Sequence, residues 1–215
     1  MRTVRWLASG LALIALLPSA SAAQQGRLFR DSWFWGANAG VMNFSTATVA
    51  NQQAPVVNLE WFITRTRGGL YLSAGRSFFT ANAGVKDNLG TLYNVQIQDM
   101  TQFQADVIAL PATWGPVHLY AGGGFQMNIA HSAVITDSII DPNIKTQVQK
   151  TLTNQQDAIR FNLLVGVHAQ LKRIAIFGNA EWLPAMGNFV LGQKATWMLE
   201  GGIRLNFGPS DESQQ

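Results

Sequence analysis

The chain has 215 residues, 15 Lys and Arg against 12 Asp and Glu, and no cysteine. Charged residues make up only 13%, against roughly 25% in soluble domains, and the net charge of +3 is spread without a basic cluster, which leaves nucleic-acid binding no basis. Zero Cys excludes a disulfide framework, thiolate chemistry and acylation as a lipoprotein.

Residues 1–22 have the three parts of a secretory signal peptide. Arg2 and Arg5 precede an apolar run from Leu7 to Leu17, and Ala20-Ser21-Ala22 supplies a small-x-small site. Cleavage is expected after Ala22 or Ala23. No later segment approaches the roughly 18 apolar residues of a spanning helix. Membrane-like composition without such helices points to a closed sheet, the other structure that satisfies every backbone group in hydrocarbon.

Alternation then recurs along the chain. Trp33, Trp35, Ala37, Ala39 and Val41 share one face of the first segment, and Val57, Leu59, Trp61 and Ile63 share one face of the second, opposite Asn58, Glu60 and Phe62. Residues 65–68 are a tight basic turn. The third segment, 69–79, is irregular: Leu70, Leu72 and Ala74 share their parity with Arg76, so a bulge is expected to switch faces there. Residues 80–90 read as a loop. In the fourth segment, 91–110, Tyr93, Val95 and Ile97, then Phe103, Ala105 and Val107, are assigned to the apolar face, opposite Gln96, Gln102, Gln104 and Asp106. Residues 111–116 read as a turn.

The fifth segment opposes Val117, Leu119, Phe125 and Met127 to His118, Tyr120, Gln126 and Asn128. The longest connection, 133–157, has the makings of a short helical turn around Ile144 and Val148. The sixth opposes Ile159, Phe161, Leu163 and Val165 to Arg160, Asn162 and His168; Lys172-Arg173 turns it. The seventh opposes Ile174, Ile176 and Trp182 to Asn179 and Glu181. The eighth opposes Trp197, Leu199, Ile203, Leu205 and Phe207 to Met198, Glu200, Arg204 and Asn206. Residues 208–215 form a polar tail.

Eight alternating segments with long and short connections in turn predict an all-β, eight-stranded antiparallel up-and-down transmembrane β-barrel over 23–207. Both termini are placed in the periplasm. A polar parity of Asn, Gln, Gly and Thr, rather than Lys and Glu, argues that the polar face is inside. Trp33, Trp35, Trp61, Trp182, Trp197 and Phe207 are expected as aromatic girdles, with Tyr93 joining the outer one. Glu60, Asp106, Arg160, Glu181, Glu200 and Arg204 are expected as a lumen polar network that largely plugs the barrel. Equal depth of Glu60, Asp106 and Arg204 suggests an ion pair among them.

The Leu-Tyr-Ala-Gly-Gly-Gly-Phe run at 119–125 and the closing Gly-Gly-Ile-Arg-Leu-Asn-Phe at 201–207, together with the signal peptide, resemble small outer-membrane β-barrel proteins of the OmpA/OmpX/OmpW-like type. The resemblance covers nearly all of the mature chain. It implies an integral outer-membrane location among lipid and lipopolysaccharide. It also implies insertion by the barrel-assembly machinery, whose signal resembles the closing aromatic strand; here eight residues follow Phe207.

The expected role is structural or surface interaction, without catalysis, cofactor or metal. One alternative is a narrow channel for small or hydrophobic molecules, as the OmpW-like branch implies; that needs an apolar lumen. The other is a lipid A-modifying enzyme. His131 and Ser132 are the tempting pair, but adjacent strand residues point oppositely and no acid stands beside them. His118 and His168 lack a third ligand for a metal site.

Overall fold

Antiparallel pairing runs unbroken around the chain. The computed structural model describes Phe29 and residues 31–209. It contains β1 (Ser32–Phe44), β2 (Gln52–Thr64), β3 (Gly68–Lys86), β4 (Leu92–Trp114), β5 (Val117–Ile135), α1 (Pro142–Gln155), β6 (Asp157–Leu171), β7 (Ile174–Leu183) and β8 (Thr196–Pro209). The strands close in sequence order, and β1 seals against β8 through pairs such as Trp35↔Leu205 and Val41↔Leu199. The predicted signal peptide, and the tail beyond Pro209, lie outside the described residues.

The apolar parity faces out. Val107 is 73% exposed and Leu59 68%, whereas Arg204 and Asn162 are 0% exposed. Water does not select such a belt, but hydrocarbon does. No described helix is long and apolar enough to cross a membrane; the strands do the crossing.

The strands are unequal, and two connections are much shorter than expected. Residues 80–86 continue β3 rather than forming a loop. The turn is only 87–91, held by Asp87 Oδ1, which accepts from the Leu89 and Thr91 amides at 2.9 and 2.8 Å. Gly90 in that turn has φ +86°, which a side chain would strain. β4 likewise continues through Pro111 to Trp114, leaving Gly115-Pro116 as the turn. β3 is paired with β2 only as far as Ser77, and β5 with β6 only as far as Ile129. Beyond those points β3, β4 and β5 continue alone, for roughly 30 Å along β3 at about 3.3 Å per residue.

Two bulges govern what this extension shows to the interior. Asp99 in β4 and Ser132 in β5 have φ of +57° and +47°, and the pairing register shifts beside both. One extra residue exchanges the two faces of everything that follows. Val95 and Ile97 are therefore inside and fully buried, not on the lipid face, and Tyr93 packs inward rather than joining the outer girdle. The face switch expected at Arg76 does not occur on β3. Arg76 stays outside, 2.8 Å from Asp99 on the strand that does switch.

Candidate functional site

From the end with short turns to the end with long loops, the interior has three layers. The first is aromatic. Phe29 tucks into the mouth and stacks on His118 at 3.9 Å, with Phe34, Phe62 and His168 around it. Its carbonyl accepts from Thr64, whose hydroxyl also accepts from the Ser32 amide at 3.2 Å. Phe29 escaped the sequence reading because it precedes the first alternating segment.

Arg204 begins the second layer. Its guanidinium pairs with Glu60 and donates to Tyr120 Oη at 3.2 Å; Nη1 lies 3.2 Å from His168 Nδ1. The Phe177 ring covers it at 3.7 Å and Phe62 at 4.5 Å. Asn38 and Tyr71 donate to Glu60 at 3.2 and 3.0 Å. Gly166 makes room for Tyr120: a Cβ there would lie 2.3 Å from the ring. Of the two acids expected near Arg204, Glu60 is its partner and Asp106 is not.

Asp106 instead accepts from Gln104 at 2.7 Å and Asn162 at 3.1 Å, and the same Gln104 nitrogen reaches Glu181 at 3.0 Å. Asn58 donates to Glu200 at 2.6 Å and accepts from Gln102, which accepts from Gln126. Arg160 sits higher, donating to Thr196 at 3.0 Å beneath the Phe189 ring. All six residues of the expected polar network thus face inward and are buried.

The third layer is apolar. Met42, Phe44, Ala81, Val85, Val95, Ile97 and Met100 line the wall, and α1 and the β7–β8 loop fill the mouth. α1 starts at Asp141, whose carboxylate accepts from the Asn143 amide at 2.8 Å, and Pro142 is preset for a first turn. Ile144, Val148 and Leu152 recur at helical spacing and turn inward. Phe189, Val190 and Leu191 drop in beside them, and the Val190 amide donates to Gln155 O at 3.1 Å. Gln156 O accepts from Ala130 at 3.0 Å, tying the helix to the wall. The sequence signal for the loop's share was a run of three apolar residues between two strands.

Outside, Trp33, Trp35, Trp197 and Phe207 are exposed, and Trp61 and Trp182 partly so. Trp35 stacks on Trp61 at 5.4 Å, and Trp182 meets Trp197 at 6.4 Å. The expected girdle residues therefore all lie on the outer face. His131 bonds Thr101 across the strands at 2.7 Å, and Ser132 is the bulge residue. A groove of about 530 Å³ on the outer face, between Leu163, Val165, Ala180, Trp182 and Trp197, has apolar walls. Among the described residues no three His, Cys, Asp or Glu side chains cluster as metal ligands.

No protein-family model matches the sequence, and no curated protein does. Solved structures do match in shape. Neisserial surface protein A superposes with a TM-score of 0.57 at 15% identity, over 81% of this chain and 97% of its own. The outer membrane protein OprG from Pseudomonas aeruginosa superposes at 0.55 and 13% identity, over 86% of this chain and 100% of its own. At such identities the likeness is one of fold: this chain has the eight-stranded barrel fold of small outer-membrane proteins.

Proposed function

We propose that the protein is an integral outer-membrane barrel whose role is structural or in surface interaction, and that its lumen does not conduct. One observation carries this reading: the interior is filled from end to end by side chains, with an aromatic layer below, a hydrogen-bonded layer in the middle and a folded cap above. A solute would have to part Arg204 from Glu60 and then displace α1 and Phe189. The fold shared with the two outer-membrane proteins supports the location, as does the leader-like sequence at 1–22. In that setting the cap and the three-stranded extension stand beyond the membrane as the surface available to a partner. Catalysis finds no support, since His131 is engaged by Thr101 at 2.7 Å and, among the described residues, no carboxylate is seen bonded to it.

The test is electrical and biochemical together. The purified barrel in a planar bilayer should show no steady conductance, and proteoliposomes should not swell in small sugars. Stable open events in the wild type would overturn the reading. A second reading, a channel for small hydrophobic molecules, has one observation in its favour: the outer third of the interior is apolar. It requires the cap to leave, so uptake of an apolar dye should rise when the α1 segment is deleted and be absent when it is intact.

A further inference from the structure

The two ends of the barrel carry charge differently. At the end with short turns the connections are Arg65-Thr66-Arg67, Gly115-Pro116 and Lys172-Arg173, with four basic residues and no acid among them. Asp31, just before β1, is the acid that the described chain adds there. At the other end the connections 45–51, 87–91, 136–156 and 184–195 hold Asp87, Asp137 and Asp141 against Lys145, Lys150 and Lys194, which balance. Arg65, Arg67, Lys172 and Arg173 are all exposed.

These cations stand where the apolar belt ends. Lys172 and Arg173 lie between Leu171 and Ile174, both exposed on the outer face. Arg65 follows Ile63, which pairs with Trp33, and beside them Trp61 packs against Trp33 at 5.6 Å and Trp35 at 5.4 Å. In the closed order β1 to β8, the β2–β3 and β6–β7 seams fall on opposite sides of the barrel. Lys172 is also placed at a local cost. Leu171 pairs with Ile174 across a two-residue turn in which Lys172 has φ +61°, a conformation that Gly or Asn adopts more readily. The turn keeps a cation where backbone preference alone selects another residue. Long basic side chains beside rings and aliphatic groups suit the headgroup layer, with stems on the apolar surface and charges among anions. A folded partner would dock on one side; a lipid leaflet meets both.

We infer that the two basic turns, Arg65 with Arg67 and Lys172 with Arg173, gather anionic phospholipid into the lipid shell around the short-turn end of the barrel. The inference rests on the membrane placement proposed above, which makes this the periplasmic leaflet. The test inserts the mature barrel into phosphatidylcholine vesicles and quenches its tryptophans with brominated phosphatidylglycerol or brominated phosphatidylcholine at equal mole fraction. A Trp182→Phe, Trp197→Phe background confines the emission to Trp33, Trp35, Trp61 and Trp114, at the short-turn end. Phosphatidylglycerol should be preferred roughly fivefold, and less in high salt. Arg65→Gln, Arg67→Gln, Lys172→Asn and Arg173→Gln together should remove the preference, while Lys145→Gln, Lys150→Gln and Lys194→Gln at the other end should keep it. Either turn changed alone should lower the preference in part, which keeps the test decisive if the combined variant does not insert. Equal quenching by the two lipids, in a barrel that floats with the vesicles, would overturn this inference alone. So would a preference that survives the turn variants, or one that millimolar glycerol phosphate removes, since the ligand would then be a soluble phosphate. A chain that does not float with the vesicles would overturn the membrane placement and this inference together.

Discussion

Around Arg204 the interior is a guanidinium, a carboxylate, phenols and amides held in fixed partnerships; around Val95 and Phe189 it is methyl groups and rings held by shape. Both fill the same barrel, yet they fail differently. A polar layer depends on named pairs, because a buried group that loses its partner keeps its desolvation cost. An apolar layer depends on volume, and loss at one point leaves a cavity whose cost scales with its size. The polar layer should therefore behave as part of the barrel's own unfolding unit. The cap, tied on by α1 and the β7–β8 loop, should open separately.

The largest effect should come from separating the ion pair. Arg204→Ala leaves Glu60 buried opposite Tyr71 and Tyr120 with no cation, at a cost of about 3–5 kcal/mol. Its urea midpoint in detergent should fall well below wild type. Leu205→Ala on the adjacent outward position, 48% exposed, should barely move, because lipid or detergent replaces the lost contacts. Equal midpoints for Arg204→Ala and wild type would show the layer to be hydrated rather than packed.

Next comes the cap. Leu152→Ala should cost about 2–4 kcal/mol, but locally. The heat-modifiable mobility of the barrel should persist while protease added to intact cells begins to cut near Lys145 and Lys150. In the wild type, whose Val148 and Leu152 are buried, that helix should resist. Loss of barrel and cap together in Leu152→Ala would mean that the two regions form one cooperative unit.

Gly166→Ala should be felt less, by about 1–3 kcal/mol, as an overpacking strain. The new methyl group meets the Tyr120 ring, so the readout is tyrosine fluorescence of the folded barrel together with the urea midpoint. Tyr120→Phe should differ from it, since that change loses the hydrogen bonds to Asn179 and Arg204 while keeping the packing.

The two regions were also unequally legible. Period-two alternation puts Glu60, Asp106, Arg160, Glu181, Glu200 and Arg204 on the inner face, and depth along the strands sets both Glu60 and Asp106 level with Arg204, of which only Glu60 is its partner. Their amide partners lie on other strands at depths set by the barrel's stagger, which one strand's pattern does not contain. The wall of the apolar layer departs from the sequence reading for a different reason. Bulges at Asp99 and Ser132 reverse the parity, and a reversed strand looks locally like an unreversed one. Val95 and Ile97 were thus assigned to lipid, and the expected lumen of Gln, Asn, Glu and Arg is correct only for the middle layer. Residues 80–86 looked like a loop because Asn82 and Gly84 are poor strand formers; pairing with β4 overrides that preference.

The bulge at Asp99 separates the two regions, and it yields the smallest expected effect. Asp99 accepts from the Phe79 amide at 3.2 Å and from Arg76 at 2.8 Å. Its φ of +57° is one that Asn tolerates nearly as well as Asp. The ion pair is partly exposed, so removing its charge should cost no more than about 1 kcal/mol. Asp99→Asn should keep the backbone geometry, the inward faces of Val95 and Ile97, and protease resistance of the cap. Arg76→Gln should match it within error, and both differences from wild type should shrink in high salt. Asp99→Val is the informative contrast, because a β-branched residue resists positive φ. If the bulge fixes the parity of the β4 extension, cysteine labelling at position 95 should change from protected to reactive with the Val variant and stay protected with Asn. Protection at 95 in both would place the control of parity in the packing of the cap itself.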